Sequence, residues 1–375
     1  MNTPLRPAIA PMGTDEAPAA QAHPDFGIPA QDPRPGAQQP RTPEEAERES
    51  QVPLVGGSAM VGAAAGAGIG GVVGGPIGVV LGGTLGGVAG ALGAVATGNA
   101  VLPEPAAPEN LHLHIEDSGG PGRPVVLIHG WPLSAQAWSA QTEALQTAGY
   151  RVVAYDRRGF GRSDKPAAHY DYDTLADDLE RVMDELELQR VTLVGFSMGG
   201  GEVARYVARH GEERLHSLVF AAAVPPALLK TADNPDGPLT PEKAQAMKQG
   251  LEQDRDRFFE QFTRDFFSAH GELQVDDADR AQALAQCHQS APHAALACTD
   301  AFARTDFRED LRQITRPTLV LHGDADAIVP LEGSGARTHQ AVPHSQLVVI
   351  PGGPHGLNVS HAQAFNAALL DFLKR

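Results

Sequence analysis

The sequence predicts an α/β fold for residues 107–375: a mostly parallel sheet covered by helices on both faces, with a helical cap inserted late in the chain. Three observations predict it. Short apolar runs such as Val125-Val126-Leu127-Ile128 and Val191-Thr192-Leu193-Val194 lack polar alternation, as strands buried on both faces require. Longer segments of helical character separate these runs, so strands and helices alternate. Glycine-rich and polar loops follow the strands' carboxyl ends, where open sheets of this kind place their sites.

Taken in order, Leu111-His112-Leu113-His114-Ile115 alternates and reads as an edge strand, with its two histidines facing solvent rather than a metal. Strands are expected at 125–128, 151–155, 191–194, 217–222, 317–321 and 346–350. Helices are expected near 134–148, 171–187, 200–210, 334–341 and 361–374. From about 227 to 305 the alternation stops and the segment reads as helical, hence a cap. On it Phe258, Phe259, Phe262, Phe266 and Phe267 recur at helical spacing. They either pack the cap onto the sheet domain or line an apolar acyl pocket.

The chemistry centres on Gly195-Phe196-Ser197-Met198-Gly199, set between a buried strand and the helical run Gly200 to Ala208. Glycines two before and two after a serine, at a strand-to-helix turn, let two backbones approach and leave the hydroxyl exposed at a strained corner. A serine needs a base, and the base needs an orienting acid. Two later loops supply them. Asp326 lies in Gly323-Asp324-Ala325-Asp326, after Pro317 to His322, and His355 lies in Pro351-Gly352-Gly353-Pro354-His355-Gly356, after Gln346 to Ile350. Asp324 is a rival for the acid. His361 reads as a residue of the last helix's start, and His129 precedes the serine. The oxyanion donors expected are the backbone N–H groups of Met198 and of Trp131 in His129-Gly130-Trp131-Pro132, since Pro132 has none. Asp156-Arg157-Arg158-Gly159-Phe160-Gly161 lacks the glycine and lysine pattern of a nucleotide loop. It reads as a pinned turn, with Phe160 facing the acyl pocket.

From about residue 111 to 375 the chain resembles the α/β-hydrolases, and among them the branch of bacterial arylesterases and cofactor-free haloperoxidases (perhydrolases). The stretches that carry the resemblance are His129 to Pro132, Tyr155 to Ser163, Gly195 to Gly201, His322 to Pro330 and Pro354-His355-Gly356. It implies Ser197 as nucleophile, Asp326 as acid, His355 as base, and Trp131 and Met198 as oxyanion donors, with no metal and no cofactor. It implies a small ester or carboxylic acid as substrate. Ester hydrolysis through an acyl-enzyme is the first expectation; peracid formation from carboxylic acids and hydrogen peroxide, followed by halide oxidation, is the alternative. Serine at the elbow argues against chemistry that places a carboxylate there.

A net charge of −17, from 46 acidic and 29 basic residues, excludes an electrostatic footprint for nucleic acid. Cys287 and Cys298 form no disulfide framework and read as small apolar cap residues, which suits a cytoplasmic location. Residues 1–54 are rich in Pro, Ala and Gln and read as a disordered tail. Residues 55–100 carry no charge, and Gly62, Gly66, Gly70, Gly74, Gly78, Gly82, Gly86 and Gly90 recur every four residues. In a helix that register lines one face with glycine and permits close backbone packing. The segment reads as a glycine-zipper hairpin over 56–98, associating with membrane or with itself, or as a Gly/Ala linker. A module for membrane attachment or assembly with an appended hydrolase is the reading from another functional class.

Overall fold

The computed structural model describes residues 111–374. The tail assigned to 1–54 and the hairpin or linker assigned to 55–100 lie outside the described residues.

A seven-stranded sheet forms the centre. Its strands are β1 (Ile115–Asp117), β2 (Pro124–Ile128), β3 (Arg151–Tyr155), β4 (Val191–Phe196), β5 (Leu215–Ala221), β8 (Thr318–Gly323) and β9 (Gln346–Ile350), in the spatial order β1-β3-β2-β4-β5-β8-β9. Within this sheet only β1 runs antiparallel to its neighbour; β2, β3, β4, β5, β8 and β9 pair in parallel. The apolar runs explain the register. Val125 to Ile128 and all six residues of β4 are buried, so neither face of these strands reaches water. Helices α1 (Ser139–Thr147), α2 (Tyr172–Glu185), α3 (Met198–His210), α8 (Arg308–Arg312), α9 (Gly335–Ala341), α10 (Leu357–Ser360) and α11 (Ala362–Leu373) surround the sheet. The α2 start shows how sequence sets a boundary: the Asp171 carboxylate accepts from the Thr174 N–H at 2.9 Å, capping a free donor of the first turn.

The cap leaves the sheet between β5 and β8. It consists of α4 (Pro241–Gln253), α5 (Arg255–Phe267), α6 (Asp277–Gln289) and α7 (Pro292–Arg304), with a short hairpin of β6 (Ser268–Ala269) and β7 (Glu272–Leu273). Thr240, Asp254 and Asp276 each cap the helix that follows with their side chains. The structure departs from expectation in two places. Residues 227–240 are irregular rather than helical. The first edge strand begins at Ile115, not Leu111, because the backbone of His112 is taken up elsewhere. Its N–H donates to the Asp164 carboxylate at 2.9 Å and its carbonyl accepts from the Asp164 N–H at 3.0 Å. Leu111 and Leu113 still turn into the core, which accounts for the alternation. No described helix is long and apolar enough to cross a membrane.

Candidate active site

Ser197 sits at the corner between β4 and α3 with φ of +53°, a left-handed conformation that costs a non-glycine residue about 1–3 kcal/mol. The surrounding backbone holds it there: its N–H donates to Ala221 O at 2.9 Å, and its carbonyl accepts from Gly200 N at 3.0 Å and Val224 N at 3.2 Å. The two glycines are required by proximity. A Cβ at position 195 would lie 2.4 Å from the Gly199 carbonyl oxygen, and one at 199 would lie 2.5 Å from that of Ile128.

The loops after β8 and β9 converge on this corner. Ser197 Oγ–H donates to His355 Nε2 at 2.9 Å, and His355 Nδ1–H donates to Asp326 Oδ2 at 2.7 Å. All three are buried. Asp326 Oδ1 accepts from the N–H groups of Ile328 at 2.9 Å and Val329 at 2.8 Å, so the carboxylate is fixed at both oxygens. Burial by itself would raise the Asp326 pKa; the positive charge His355 can carry and the hydrogen bonds from His322 and His355 outweigh it and hold the group well below the usual carboxylate range. The rival residues fall elsewhere. Asp324 Oδ1 accepts from Gly352 N at 2.6 Å and so pins the β9 loop. His361 bonds Ser360 Oγ at 2.9 Å at the start of α11.

His129 is buried beneath the loop after β2. Burial, and then the Arg157 charge, lower its pKa to about 3. Its Nε2 accepts from Arg157 N at 2.9 Å and its Nδ1 donates to Gly130 O at 2.9 Å, leaving no role as a base. Arg157 donates to the His129 carbonyl at 2.6 Å and pairs with Glu202, both side chains fully buried. This ion pair, with the Tyr155 hydroxyl donating to Glu202 at 2.8 Å, ties the loop to α3. The loop lies against the Ser197 corner: a Cβ on Gly130 would be 3.0 Å from Ser197 Cβ. Met198 is the first residue of α3, so its N–H has no acceptor within the helix. Trp131 follows Gly130 beside it, with its indole N–H donating to Ala295 O of α7 at 3.0 Å.

A cavity of about 1030 Å³ opens onto Ser197 and His355. Trp131, Phe258, Phe262, Phe302, Met247 and Ile328 make its inner wall apolar, and Lys243, Asp265 and His270 stand on it as polar members. The α5 phenylalanines divide between two environments. Phe259, Phe266 and Phe267 are buried against neighbouring elements, while Phe258 and Phe262 line the cavity. The lining and the buried rings adjoin on one helix: Phe262 meets Phe266 at 5.5 Å and Phe258 meets Phe259 at 5.9 Å. Phe160 departs from expectation. It does not line the cavity; it is fully buried, with its ring edge-on to His129 at 5.9 Å and 5.7 Å from the Arg157 guanidinium. The arginine-rich turn directs it inward under the loop rather than towards substrate. Among the described residues no group of three or more His, Cys, Asp or Glu is arranged to hold a metal.

A family model described as the alpha/beta hydrolase fold matches residues 123–362. The chain belongs to the α/β-hydrolase family. Within it, this α/β-hydrolase is 45% identical over 267 residues to a putative non-heme chloroperoxidase of Synechocystis sp., covering 70% of this chain and 95% of the relative. It is 37% identical over 270 residues to a bifunctional esterase/perhydrolase of Acinetobacter calcoaceticus, covering 71% and 97%. The crystal structure of a bromoperoxidase from Bacillus anthracis superposes with a TM-score of 0.69 at 50% identity, covering 71% of this chain and 96% of that one. The hydrolase is thus related to the non-heme chloroperoxidase and esterase branch.

Sequence reasoning missed two parts of the site. Met247 and Lys243 of α4 stand on the cavity wall, although nothing in the α4 sequence marks it as facing a site. His322 is buried against Asp326; a histidine inside an otherwise apolar strand, directly before the Asp326 loop, was the available signal.

Proposed function

We propose that this α/β-hydrolase acts on carboxylic esters and acids through an acyl-enzyme on Ser197. The observation that carries the proposal is the unbroken Ser197–His355–Asp326 chain on the wall of a mostly apolar cavity. Ser197 Oγ attacks the carbonyl carbon while its proton passes to His355 Nε2. Asp326 orients the ring and stabilises the imidazolium. The backbone N–H groups of Trp131 and Met198 hold the tetrahedral oxyanion. His355 returns the proton to the departing alcohol, or to the hydroxyl of a carboxylic acid, which leaves as water. A second nucleophile then gives its proton to His355, attacks the ester carbonyl and releases Ser197. Water in that step yields the acid, and hydrogen peroxide yields the peracid.

The names of the relatives, chloroperoxidase, bromoperoxidase and esterase/perhydrolase, favour peroxide capture over simple ester hydrolysis, and we take perhydrolysis as the better-supported reading. Released peracid then oxidises halide. Phe258 and Phe262 bound the substrate's apolar part. The test measures ester hydrolysis and, in acetate with peroxide and bromide, bromination by the purified full chain and by Ser197→Ala. Both activities should vanish in the variant, together with labelling by a fluorophosphonate. Bromination that survives Ser197→Ala removes the peracid route.

We further propose, on the four-residue glycine register alone, that 56–98 forms a helical hairpin used for membrane or self-association, separable from the catalytic unit at 107–375. Deleting residues 1–105 should leave activity intact and abolish any sedimentation with vesicles or with itself. The two free, buried cysteines suit a cytoplasmic location.

A further inference from the structure

His322 stands second from the end of β8 with no solvent exposure, and the mechanism above does not use it. Its Nε2 lies 2.8 Å from the Val329 carbonyl oxygen and 3.3 Å from Asp326 Oδ2. Both neighbours are acceptors, so Nε2 carries the ring hydrogen; it donates to the Val329 carbonyl and stands beside the Asp326 carboxylate. Nδ1 has no hydrogen-bond partner among the described residues. The ring cannot swing away on that side, because even a Cβ on Gly335 would come within 2.5 Å of Nδ1. Asp326 Oδ2 therefore receives two histidines from two directions, His355 in front and His322 behind.

We infer that His322 is a positioning residue that donates to the rear of Asp326 Oδ2 and so sets how strongly Asp326 holds a proton on His355; this rests on the acyl-enzyme reading above. The polar Nε2–H of His322, 3.3 Å from Oδ2, draws carboxylate charge away from the front. It also closes the turn at Val329, whose N–H donates to Asp326 Oδ1 and whose carbonyl accepts from His322. Without His322 the whole carboxylate charge faces His355. The imidazolium is then more stable, and the base becomes available only at higher pH. The other titratable groups around the site are Asp324 on the same loop and Lys243, Asp265 and His270 on the cavity wall. They are unchanged by substitution at position 322, which does not line the cavity.

The test compares pH profiles of kcat/KM and kcat for the full chain with those of His322→Leu and His322→Gln, using a chromogenic ester and Ser197→Ala as control. Leucine fills similar space without a donor; glutamine can place an amide N–H near the Nε2 position. In His322→Leu the acidic limb should move up by about half to one pH unit, and kcat should fall several-fold with KM unchanged. His322→Gln should restore the limb towards the wild-type position. If the leucine variant does not fold, His322→Asn, whose amide is too short to reach Oδ2, takes its place with the same expected shift. A limb that stays at the wild-type pH in a folded donor-less variant, with only thermal stability lowered, overturns the inference and leaves the acyl-enzyme reading standing. Turnover that persists in Ser197→Ala overturns both.

Discussion

Asp326→Asn should be unusually damaging, and the structure says why. An amide differs from a carboxylate in having one acceptor and one donor end, so the decisive question is which end faces His355. At Oδ1 the site presents two backbone N–H groups, from Ile328 at 2.9 Å and Val329 at 2.8 Å. They demand the amide oxygen. The NH₂ group is then forced to the Oδ2 position, where His355 Nδ1 stands at 2.7 Å and His322 Nε2 at 3.3 Å. Both nitrogens carry hydrogen in the wild-type arrangement, so donor would face donor. His355 can escape only by moving its hydrogen from Nδ1 to Nε2. That tautomer points N–H at Ser197 Oγ and cannot accept its proton.

The expected loss in kcat/KM is ~10³–10⁴-fold, equivalent to about 4–5.5 kcal/mol of transition-state stabilisation, with the backbone geometry intact. Asp326→Ala removes orientation without imposing the wrong tautomer, so the asparagine variant should be no more active than the alanine variant despite its closer shape. The assay is kcat/KM on a chromogenic ester at neutral pH for both variants, with near-UV circular dichroism to show native packing. A folded Asp326→Asn within tenfold of wild type would refute the tautomer argument.

Asp324→Asn should leave kcat within a few-fold of wild type, since its contact is with Gly352 N and not with His355; a loss matching that of Asp326→Asn would reverse the assignment. Gly199→Ala should destabilise by about 1–3 kcal/mol or more, because its Cβ meets the Ile128 carbonyl and backbone must move; unchanged melting would show the elbow to be looser than described. Phe258→Ala and Phe262→Ala should flatten the rise of kcat/KM with acyl length, which at ~0.8 kcal/mol per methylene is about fourfold per carbon in an apolar pocket. Buried Phe266→Ala should instead cost about 3–5 kcal/mol of stability, read by denaturant titration. The lowered pKa of Asp326 has a defined sign: its stabilising contribution is fully present above the ordinary carboxylate value of ~3.9 and is lost as pH falls towards the depressed folded value. The difference in melting temperature between wild type and Asp326→Ala should therefore hold steady from neutral pH down to about 5 and shrink below ~4; a difference that grows on acidification contradicts it.

The parallel strands were legible because burial on both faces leaves an unambiguous apolar run, as in Val125 to Ile128 and Val191 to Val194. The Ser197 corner was legible because close backbone approach leaves only glycine at 195 and 199. The cap was harder. The spacing of the α5 phenylalanines showed a helix but could not say which side met protein and which met the cavity. That division depends on where α5 docks, through the Gly356 N–H donating to the Phe266 carbonyl at 2.8 Å, between residues distant in sequence. Phe160 misled for the same reason. Its sequence neighbourhood fixed the turn, while its direction was settled by His129 and Arg157, which pack around it. His322 was hidden by ordinary expectation, since a lone polar residue in a buried strand reads as an exception until its partners are known.

The docking contacts also bear on how substrate choice and catalysis are connected. The cap reaches the machinery at both ends. Ala295 on α7 accepts from the Trp131 indole, on the loop expected to hold the oxyanion, and Phe266 on α5 accepts from Gly356, next to His355. The Phe266 ring meets the His355 ring edge-on at 5.4 Å, and Trp131 meets Phe258, Phe259, Phe262 and Phe302 within 6.2 Å. The residues that shape the cavity are thus in direct contact with Trp131 and His355, the residues proposed to position the reacting groups. A change of acyl preference made at Phe258 or Phe262 acts on Trp131 as a neighbour, and so should alter kcat as well as KM. A cap that served only as a cover would change KM alone.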